Sequence, residues 1–435
     1  MKRIIAVFYL TLSFANSYSQ GWQDVGSGVR AITNTTATGV YAMCADTINN
    51  LLYVGGTFDS AGSEYSENVA KWDGANWHSM PTEQGPGVDA MVMYKGNLYV
   101  GGNSSNGVTE WNGSQWTVLP LFNGGVNVLY VFNDTLYAGG SFTKSGNTTL
   151  NYIAKWDGTN WLPVGSGFNG YASPSVNAMY AWNGKLYAGG FFDESDTETH
   201  IFSIARWDDS IWNGLKSGIG SDNDSSIEGF VFAIDTFQGN LYVGGDFGFA
   251  GGKPTSDIVV WNGNNWILLG QGTNDIVQSF GNYNNKLYVG GGINSWDGSN
   301  WDTVGTGISS VVYAIAVFDS QLYVGGVFNE AGTIPANYIA RWSPDTTTVV
   351  DQLAVKNNQV IVYPNPASSQ LTFNCSETIT QLQIEDVLGQ PLLQKSFNDE
   401  MQRQIVDVST LPQGIYFYRL TSSNSEIVTG KFVKE

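Results

Sequence analysis

The sequence predicts an all-β protein, and three observations support this prediction. The 435 residues include 53 Gly and 15 Trp, while charged residues make up 13% of the chain, about half of their usual share in soluble domains. Such a composition is typical of short strands joined by tight turns. A segment of about 45 residues recurs through most of the chain, and short stretches of alternating apolar residues follow it.

The repeat predicts a ring of four-stranded units. Its core, LY[VA]GG, occurs seven times at an average spacing of 45 residues, which is typical of a propeller blade. Each unit contains an apolar first strand, a turn rich in Asn and Gly, the LYVGG strand, a strand that ends in Trp and a strand that begins with Trp. We expect the Gly pair to let neighbouring backbones come close together.

The Trp residues predict how the ring closes. Six repeats contain a complete pair of Trp residues around a turn, namely 72/77, 111/116, 156/161, 207/212, 261/266 and 296/301. In the seventh repeat Trp342 has no such partner, but GWQDVGSG at 21–28 matches NWLPVGSG at 160–167. Trp22 therefore supplies the missing strand, which removes the free edges of an open array. We predict a seven-bladed β-propeller over 20–343, closed by its N-terminal strand.

The unit resembles the Kelch repeat. Apolar residues precede a Gly pair, an aromatic residue follows, and a Trp precedes an apolar-Pro ending, as in WHSMP and WTVLP. The additional Trp before the DG turn and the GGxFxxAG loop depart from the Kelch pattern. The resemblance implies a fold rather than an activity, because this fold supports both binding proteins and enzymes.

The first residues predict a signal peptide over 1–19. Lys2 and Arg3 precede an apolar stretch at 4–15, which is too short to cross a bilayer. Small residues lie before a cleavage point that would leave Gln20 as the mature start. Since no later segment approaches 18 apolar residues, we expect no transmembrane segment.

The end of the chain predicts a second domain. A polar, Thr-rich linker is expected at 344–359, and residues 360–435 contain short alternating strands such as LTFNC, LQIED and IYFYRLT. About 75 residues of this kind are typical of a small Ig-like β-sandwich. Cys44 and Cys375 would then lie in different domains, as two separately buried thiols.

Three motifs in this segment carry a second resemblance. They are YPNP, DVLG and LPQGIY, and a closing KFVK follows them. In this order they resemble the type IX secretion (Por system) C-terminal sorting domain of Bacteroidetes, through Tyr363, Pro364, Asn365, Pro366, Asp386, Gly389, Gly414, Tyr416 and Lys431. The resemblance implies recognition by the type IX translocon and delivery outside the cell or to its outer surface after Sec export. An ordinary Ig-like accessory domain is the alternative.

One position of the repeat varies where its neighbours do not. The second residue of the predicted first strand differs in chemistry between repeats, as Tyr41, Asp89, Asn127, Asn177, Phe232, Gln278 and Tyr313. At the mouth of a central channel these residues would form a ring of aromatic, amide and carboxylate groups, which suits a sugar or a peptide. The alternative is that they only line a water-filled channel.

The loops between second and third strands differ in length. From the last Gly of the pair to the following Trp the repeats span 16, 9, 16, 17, 16, 5 and 16 residues. We expect the loops to project less from this face at the second and sixth repeats than at the other five. Such an uneven face would suit an extended ligand.

Charge and residue content exclude several functions. The net charge of −19 argues against nucleic acid or an anionic membrane surface, which Lys and Arg clusters bind. The chain has two His, His78 beside a Trp of the repeat and His200 in a polar loop. A metal site with two or three His ligands is therefore not expected. Asp222 and Asp224 could bind Ca²⁺ through alternating oxygen ligands, but the segment lacks the Gly and the final Glu of an EF-hand loop. A solvated acidic turn is favoured, and no cofactor is expected.

These observations favour a secreted or surface-bound binding protein with a glycan or protein ligand. They leave two alternatives open: an extracellular polysaccharide-active enzyme that uses channel carboxylates such as Asp89, and a purely structural surface component. The scarcity of catalytic residues favours a protein that is not an enzyme.

Overall fold

A computed structural model describes most of the chain. It covers residues 21–31, 38–81, 87–102, 107–170, 173–195, 198–199, 201–220, 229–270, 272–273, 275–343, 360–363, 365, 367–375, 378–386, 390–397, 403–422 and 427–434. The expected signal peptide at 1–19, the expected linker at 344–359, and Asp222 and Asp224 lie outside these residues.

All regular secondary structure in the described residues is β-strand, so the all-β prediction is confirmed. No helix that could cross a membrane occurs in this part of the chain. The chain divides into two compact units, Met1–Asp345 and Thr346–Glu435.

The first unit contains seven antiparallel four-stranded sheets among its described residues. Their strands, from the first strand outward, are: sheet 1, Gly39–Asp46, Leu51–Thr57, Val69–Trp72 and Trp77–Ser79; sheet 2, Ala90–Tyr94, Asn97–Gly101, Val108–Trp111 and Trp116–Val118; sheet 3, Val126–Phe132, Thr135–Gly140, Ile153–Trp156 and Trp161–Pro163; sheet 4, Ser175–Trp182, Lys185–Phe191, Ile204–Trp207 and Trp212–Gly214; sheet 5, Phe230–Phe237, Asn240–Asp246, Ile258–Trp261 and Trp266–Leu268; sheet 6, Phe280–Tyr283, Lys286–Val289, Asn294–Trp296 and Trp301–Thr303; sheet 7, Val312–Phe318, Gln321–Gly326, Ile339–Ser343 and Gly21–Asp24.

The seven sheets form a closed ring. The first strand of each sheet contacts the first strand of the next, and that of sheet 7 contacts that of sheet 1. At each step a buried Val packs against the first Gly of the preceding Gly pair. A Cβ atom added to Gly55 would lie 2.7 Å from Val88 Cγ1, and one added to Gly101 would lie 2.8 Å from Val126 Cγ1. The first Gly therefore allows the sheets to approach one another.

Trp22 completes sheet 7. It lies directly opposite Trp342 in the strand ladder, as Trp72 lies opposite Trp77 in sheet 1. The ring centroids of Trp22 and Trp342 are 4.9 Å apart, and those of Trp72 and Trp77 are 5.2 Å apart. The indole of Trp22 also donates a hydrogen bond to the carbonyl oxygen of Val304, at 3.3 Å. The predicted partner of Trp342 is confirmed.

Short hairpins stand between the second and third strands of five sheets. They are Ser60–Ala61 with Glu64–Tyr65, Lys144–Ser145 with Thr148–Thr149, Glu194–Ser195 with Glu198–Thr199, Phe249–Ala250 with Lys253–Pro254, and Glu330–Ala331 with Ile334–Pro335. Each hairpin also pairs with the segment that leads into its sheet. Three pair with the short strands Val29–Arg30, Phe168–Asn169 and Ile219–Gly220, and two pair through the single bridges of Phe122 with Ser145 and Ile308 with Ala331. The described residues of sheets 2 and 6 form no such hairpin.

Cys44 lies on the first strand of sheet 1 as a free thiol. It packs against the cluster of apolar residues between sheets 1 and 2. Burial raises the pKa of this thiol to about 11. Since the thiolate is the reactive form of cysteine, Cys44 is an inert thiol at neutral pH.

The second unit consists of two antiparallel sheets. One contains Val360–Tyr363, Gln370–Cys375 and Arg403–Asp407, and the other contains Pro391–Ser396, Ile379–Glu385, Gly414–Ser422 and Ile427–Lys434. Phe373 from the first sheet packs in one core with Tyr418 and Phe432 from the second. The two sheets therefore share one hydrophobic core.

The motif residues of this unit have structural roles where they are described. Tyr416 is buried, and its hydroxyl donates to the carbonyl oxygen of Pro412 at 2.8 Å. The side chain of Asn365 accepts from the backbone N–H of Val433 at 2.9 Å, and that of Asp386 accepts from Gln390 N–H at 2.9 Å. Gly414 and Lys431 lie on the last two strands. Pro364, Pro366 and Gly389 lie outside the described residues.

Candidate functional site

Five of the seven first strands contain a β-bulge. In sheet 1, Val40 pairs with Gly56 and Ala42 pairs with Gly55, so that Tyr41 is the extra residue of the bulge. The same shift of register makes Asn127, Asn177, Phe232 and Tyr313 the extra residues in sheets 3, 4, 5 and 7. A bulge changes the direction of one side chain without disturbing the rest of the ladder. The variable position of the repeat is therefore the bulge position.

The second Gly of each pair lies against the backbone at the start of the first strand of its own sheet, both in the five sheets with a bulge and in sheets 2 and 6. A Cβ atom added to Gly56 would overlap the carbonyl oxygen of Gly39, and one added to Gly140 would overlap that of Gly125. Both overlaps are with backbone atoms, which cannot move aside as a flexible side chain would. The Gly pair therefore has two separate functions, since the first Gly admits the next sheet and the second admits the backbone at the start of the first strand of its own sheet.

The structure brings all seven variable residues together around one cavity of about 290 Å³. Each of them is half-buried, whereas the Val residue before each is at most 1% exposed. In sheets 2 and 6 the backbone N–H groups of Asp89 and Gln278 donate to Gly101 and Gly290, at 2.9 and 3.1 Å. The cavity volume is close to the lower end of the range of about 300–1,000 Å³ for small-molecule sites.

Two contacts organise the cavity lining. The Asn pair consists of Asn127 and Asn177, and the side-chain N–H₂ of Asn127 donates to the side-chain oxygen of Asn177 at 2.8 Å. The Tyr pair consists of Tyr41 and Tyr313, whose ring centroids are 5.3 Å apart at an interplanar angle of 57°. The Asn pair belongs to sheets 3 and 4, and the Tyr pair to sheets 7 and 1. Each contact joins neighbouring sheets and holds two side chains in a fixed arrangement.

Aromatic side chains continue outward from Phe232. Phe230 stacks on Phe232 with centroids 5.9 Å apart, and Phe191 stacks on Phe230 with centroids 4.4 Å apart and an interplanar angle of 7°. Phe230 is 38% exposed. We call Phe191, Phe230 and Phe232 the Phe stack. Phe191 and Phe230 were not predicted as site residues. Their segments GGFF and GFVF each carry two aromatic residues where the other repeats carry one or none, and this was the available signal.

The cavity has a negative electrostatic character. Among the described residues that line it, Asp89 is the one carboxylate, and none is Lys or Arg. The pKa of Tyr41 is raised, first by its burial and then by the nearby Tyr313 and Asp89. Tyr41 therefore stays protonated at neutral pH and can donate a hydrogen bond.

His78 and Asp73 form a pair outside the cavity. His78 lies 2.7 Å from Asp73 in the outer hairpin of sheet 1. This hydrogen bond, with that from Asn76 N–H, lowers the pKa of Asp73 to about 2. No cluster of three or more His, Cys, Asp or Glu suited to a metal ion occurs in the described part of the chain. His200 lies outside that part.

Solved structures that are similar to the chain share little of its sequence. PorZ from Porphyromonas gingivalis, an essential bacterial surface component of the type IX secretion system, has 15% identity and a TM-score of 0.44, with 91% of this chain and 59% of PorZ covered. The extracellular domain of BT4673 from B. thetaiotaomicron has 12% identity and a TM-score of 0.48, with 96% and 59% covered. This chain thus spans about three fifths of both proteins.

A third similar structure is the β-propeller domain of the Trilobed protease from Pyrococcus furiosus, with 11% identity, a TM-score of 0.43, and 71% of this chain and 96% of that domain covered. A comparison with curated proteins returns no match. The strand pairing and the contacts between first strands within the chain itself define the ring.

The second unit matches a known family. Residues 361–435 match the model of the secretion system C-terminal sorting domain. They form the two-sheet unit described above, with the motif residues Asn365, Asp386 and Tyr416 at its turns and core. This segment is a type IX sorting domain, which engages the type IX secretion system and marks the protein for delivery outside the cell or to its outer surface.

Proposed function

We propose that the protein is a surface-delivered binding protein whose first unit is a seven-bladed, Kelch-like β-propeller with a ligand site in its ring cavity. An Ig-like sorting domain directs its export. One observation carries the proposal: the seven chemically diverse residues of the repeat occupy equivalent positions and line a single cavity.

The contrast within the first strands supports a role in binding. A Val precedes the variable residue in all seven repeats, and all seven Val side chains are buried. A residue that served only folding would be expected to repeat in the same way, because each sheet has the same neighbours. The half-buried side chains at the variable position instead present different groups to one cavity, which suits the recognition of a ligand.

The loop lengths support an extended ligand. The connections in sheets 2 and 6 span 9 and 5 residues, compared with 16 or 17 in the other sheets. Sheets 2 and 6 are the ring neighbours of sheets 1 and 7, which carry the Tyr pair. The two short connections therefore lie on either side of that pair. An extended ligand would cross the cavity from Asp89 to Gln278, with the Tyr pair on one side and the Asn pair and the Phe stack on the other.

Alanine variants of the lining test this proposal. Phe232→Ala and Tyr313→Ala should each reduce affinity at least tenfold, because each removes an aromatic face worth about 1.5–3 kcal/mol when it is fully covered. The measurement is a screen of the full chain against glycan and peptide arrays, followed by calorimetry with each ligand found. Ile267→Ala, on the outer strand of sheet 5 and 43% exposed, is the control. Affinities unchanged from wild type in both cavity variants would exclude the cavity as the site.

A further inference from the structure

We infer that the ligand of the ring cavity is a neutral, extended glycan, held between the Tyr pair and the Phe stack. This inference rests on the proposed function. It adds the class of the ligand and names Phe191 and Phe230 as part of the site.

Two aromatic surfaces lie on opposite sides of the cavity. The Tyr pair belongs to sheets 7 and 1, and the Phe stack belongs to sheets 4 and 5, so that the surfaces are separated around the ring by sheets 2 and 3 on one side and by sheet 6 on the other. A pyranose ring presents C–H groups on its faces, which pack on an aromatic face in the same way as other apolar groups do. Two separated aromatic surfaces suit two sugar units of one chain.

Amide groups lie beside the two aromatic surfaces: Asn127 and Gln278 belong to sheets 3 and 6, and Asn177 belongs to sheet 4, which also carries Phe191. Asn127, Asn177 and Gln278 line the cavity, and each primary amide has two donors and an acceptor. The Asn pair uses one N–H of Asn127 and the carbonyl oxygen of Asn177. A side-chain N–H of Asn177 also donates to the backbone oxygen of Val231 at 3.4 Å, and these bonds fix the orientation of both amides. The remaining donors and acceptors match hydroxyl groups, which also both donate and accept.

The charge of the cavity opposes an anionic ligand. Asp89 is the one ionised side chain among its described lining residues, and the whole protein has a net charge of −19. A uronate or sulfate group placed here would be repelled by Asp89 and would lose hydration without gaining a cationic partner. A neutral glycan meets neither cost.

The surroundings of the cavity favour a polymer over a single sugar. With about 290 Å³, the cavity is close to the lower end of the range of about 300–1,000 Å³ for small-molecule sites, so it would cover only a short part of a glycan. The remaining units would then lie over the low connections of sheets 2 and 6 and against the exposed face of Phe230. Affinity should therefore rise with chain length.

Calorimetry with matched glycans tests the inference. The full chain is titrated with disaccharides and hexasaccharides of the gluco, xylo, manno and galacto series, and with hexasaccharides of the three hexose series oxidised to uronates at C6. We expect at least one neutral hexasaccharide to bind at least tenfold more tightly than its disaccharide and, in a hexose series, than its uronate. Phe230→Ala should reduce hexasaccharide affinity at least fivefold and disaccharide affinity less than twofold.

A charge variant separates the role of Asp89 from that of the whole protein. Asp89→Asn should raise the ratio of uronate to neutral hexasaccharide affinity at least fivefold, because it removes the carboxylate that repels the uronate. Asp134→Asn, at a side chain that is 81% exposed, makes the same change in net charge away from the cavity and should leave this ratio unchanged.

The outcomes distinguish this inference from the proposed function. A uronate, or a peptide from the array, that binds best and loses affinity in Tyr313→Ala would overturn the inference but support the cavity as a binding site. Absence of binding by every neutral hexasaccharide would overturn the inference as well. Ligands whose binding is unaffected by Tyr313→Ala and Phe232→Ala would overturn both.

Discussion

Deletion of residues 21–29 is expected to lower the free energy of unfolding of the ring by more than about 5 kcal/mol. The segment contributes the outermost strand of sheet 7 and the buried side chains of Trp22, Val25 and Val29. It also supplies the Val25 carbonyl oxygen that accepts a hydrogen bond from the indole of Trp77 at 2.9 Å. Without it the strand Ile339–Ser343 becomes a free edge. Thermal and urea unfolding of the full chain measure the loss, as a fall in melting temperature of the order of 10 °C or more.

A matched pair of substitutions controls for the loss of chain length. Trp22 and Trp77 are both 7% exposed, and each faces another Trp across its hairpin or strand pair. Trp22→Ala and Trp77→Ala should therefore destabilise the ring by similar amounts, about 3–5 kcal/mol each. If Trp22→Ala left the free energy of unfolding unchanged while Trp77→Ala lowered it strongly, the strand Gly21–Asp24 would not close the ring.

Gly140→Ala is the second substitution with a large expected effect, a loss of about 3 kcal/mol or more in stability. The new Cβ atom would overlap the carbonyl oxygen of Gly125, next to the bulge at Asn127. The first strand of sheet 3 would have to move, and with it the hydrogen bond between Asn127 and Asn177. Urea unfolding measures the stability. Calorimetry at 25 °C should show a loss of ligand affinity greater than the unfolded fraction of the variant would cause.

Gly146→Ala is the control for this substitution. Gly146 has a φ of +55° and no neighbouring atom within 4 Å of an added Cβ, so it measures the cost of the backbone conformation alone, about 1–2 kcal/mol. If Gly140→Ala were no more destabilising than Gly146→Ala, the bulge would not depend on the second Gly of the pair.

The sequence was sufficient to predict features that repeat. The partner of Trp342 could be identified because each of the other six repeats contains a pair of Trp residues. Trp22 lies in the one remaining segment that resembles a fourth strand of the repeat. The variable residues were found for a related reason. A buried Val precedes each of them, so a difference at the next position stands out against a constant background.

Features that depend on contacts between sheets could not be predicted in the same way. The hydrogen bond of the Asn pair joins residues 50 positions apart, and the distance between two sheets is not encoded in either repeat alone. The Phe stack combines Phe191 at the end of one strand with Phe230 at the start of another. The bulges were missed because an extra residue interrupts the alternation by which strands are recognised.

A crystal structure of the full chain with a bound neutral hexasaccharide would test the central claim most directly. The account predicts that the glycan crosses the ring cavity, with one sugar unit against Tyr41 and Tyr313, hydroxyl groups at Asn127 and Asn177, and another unit against Phe230. A glycan bound on the outer strands, on the sorting domain or elsewhere outside the cavity would contradict it.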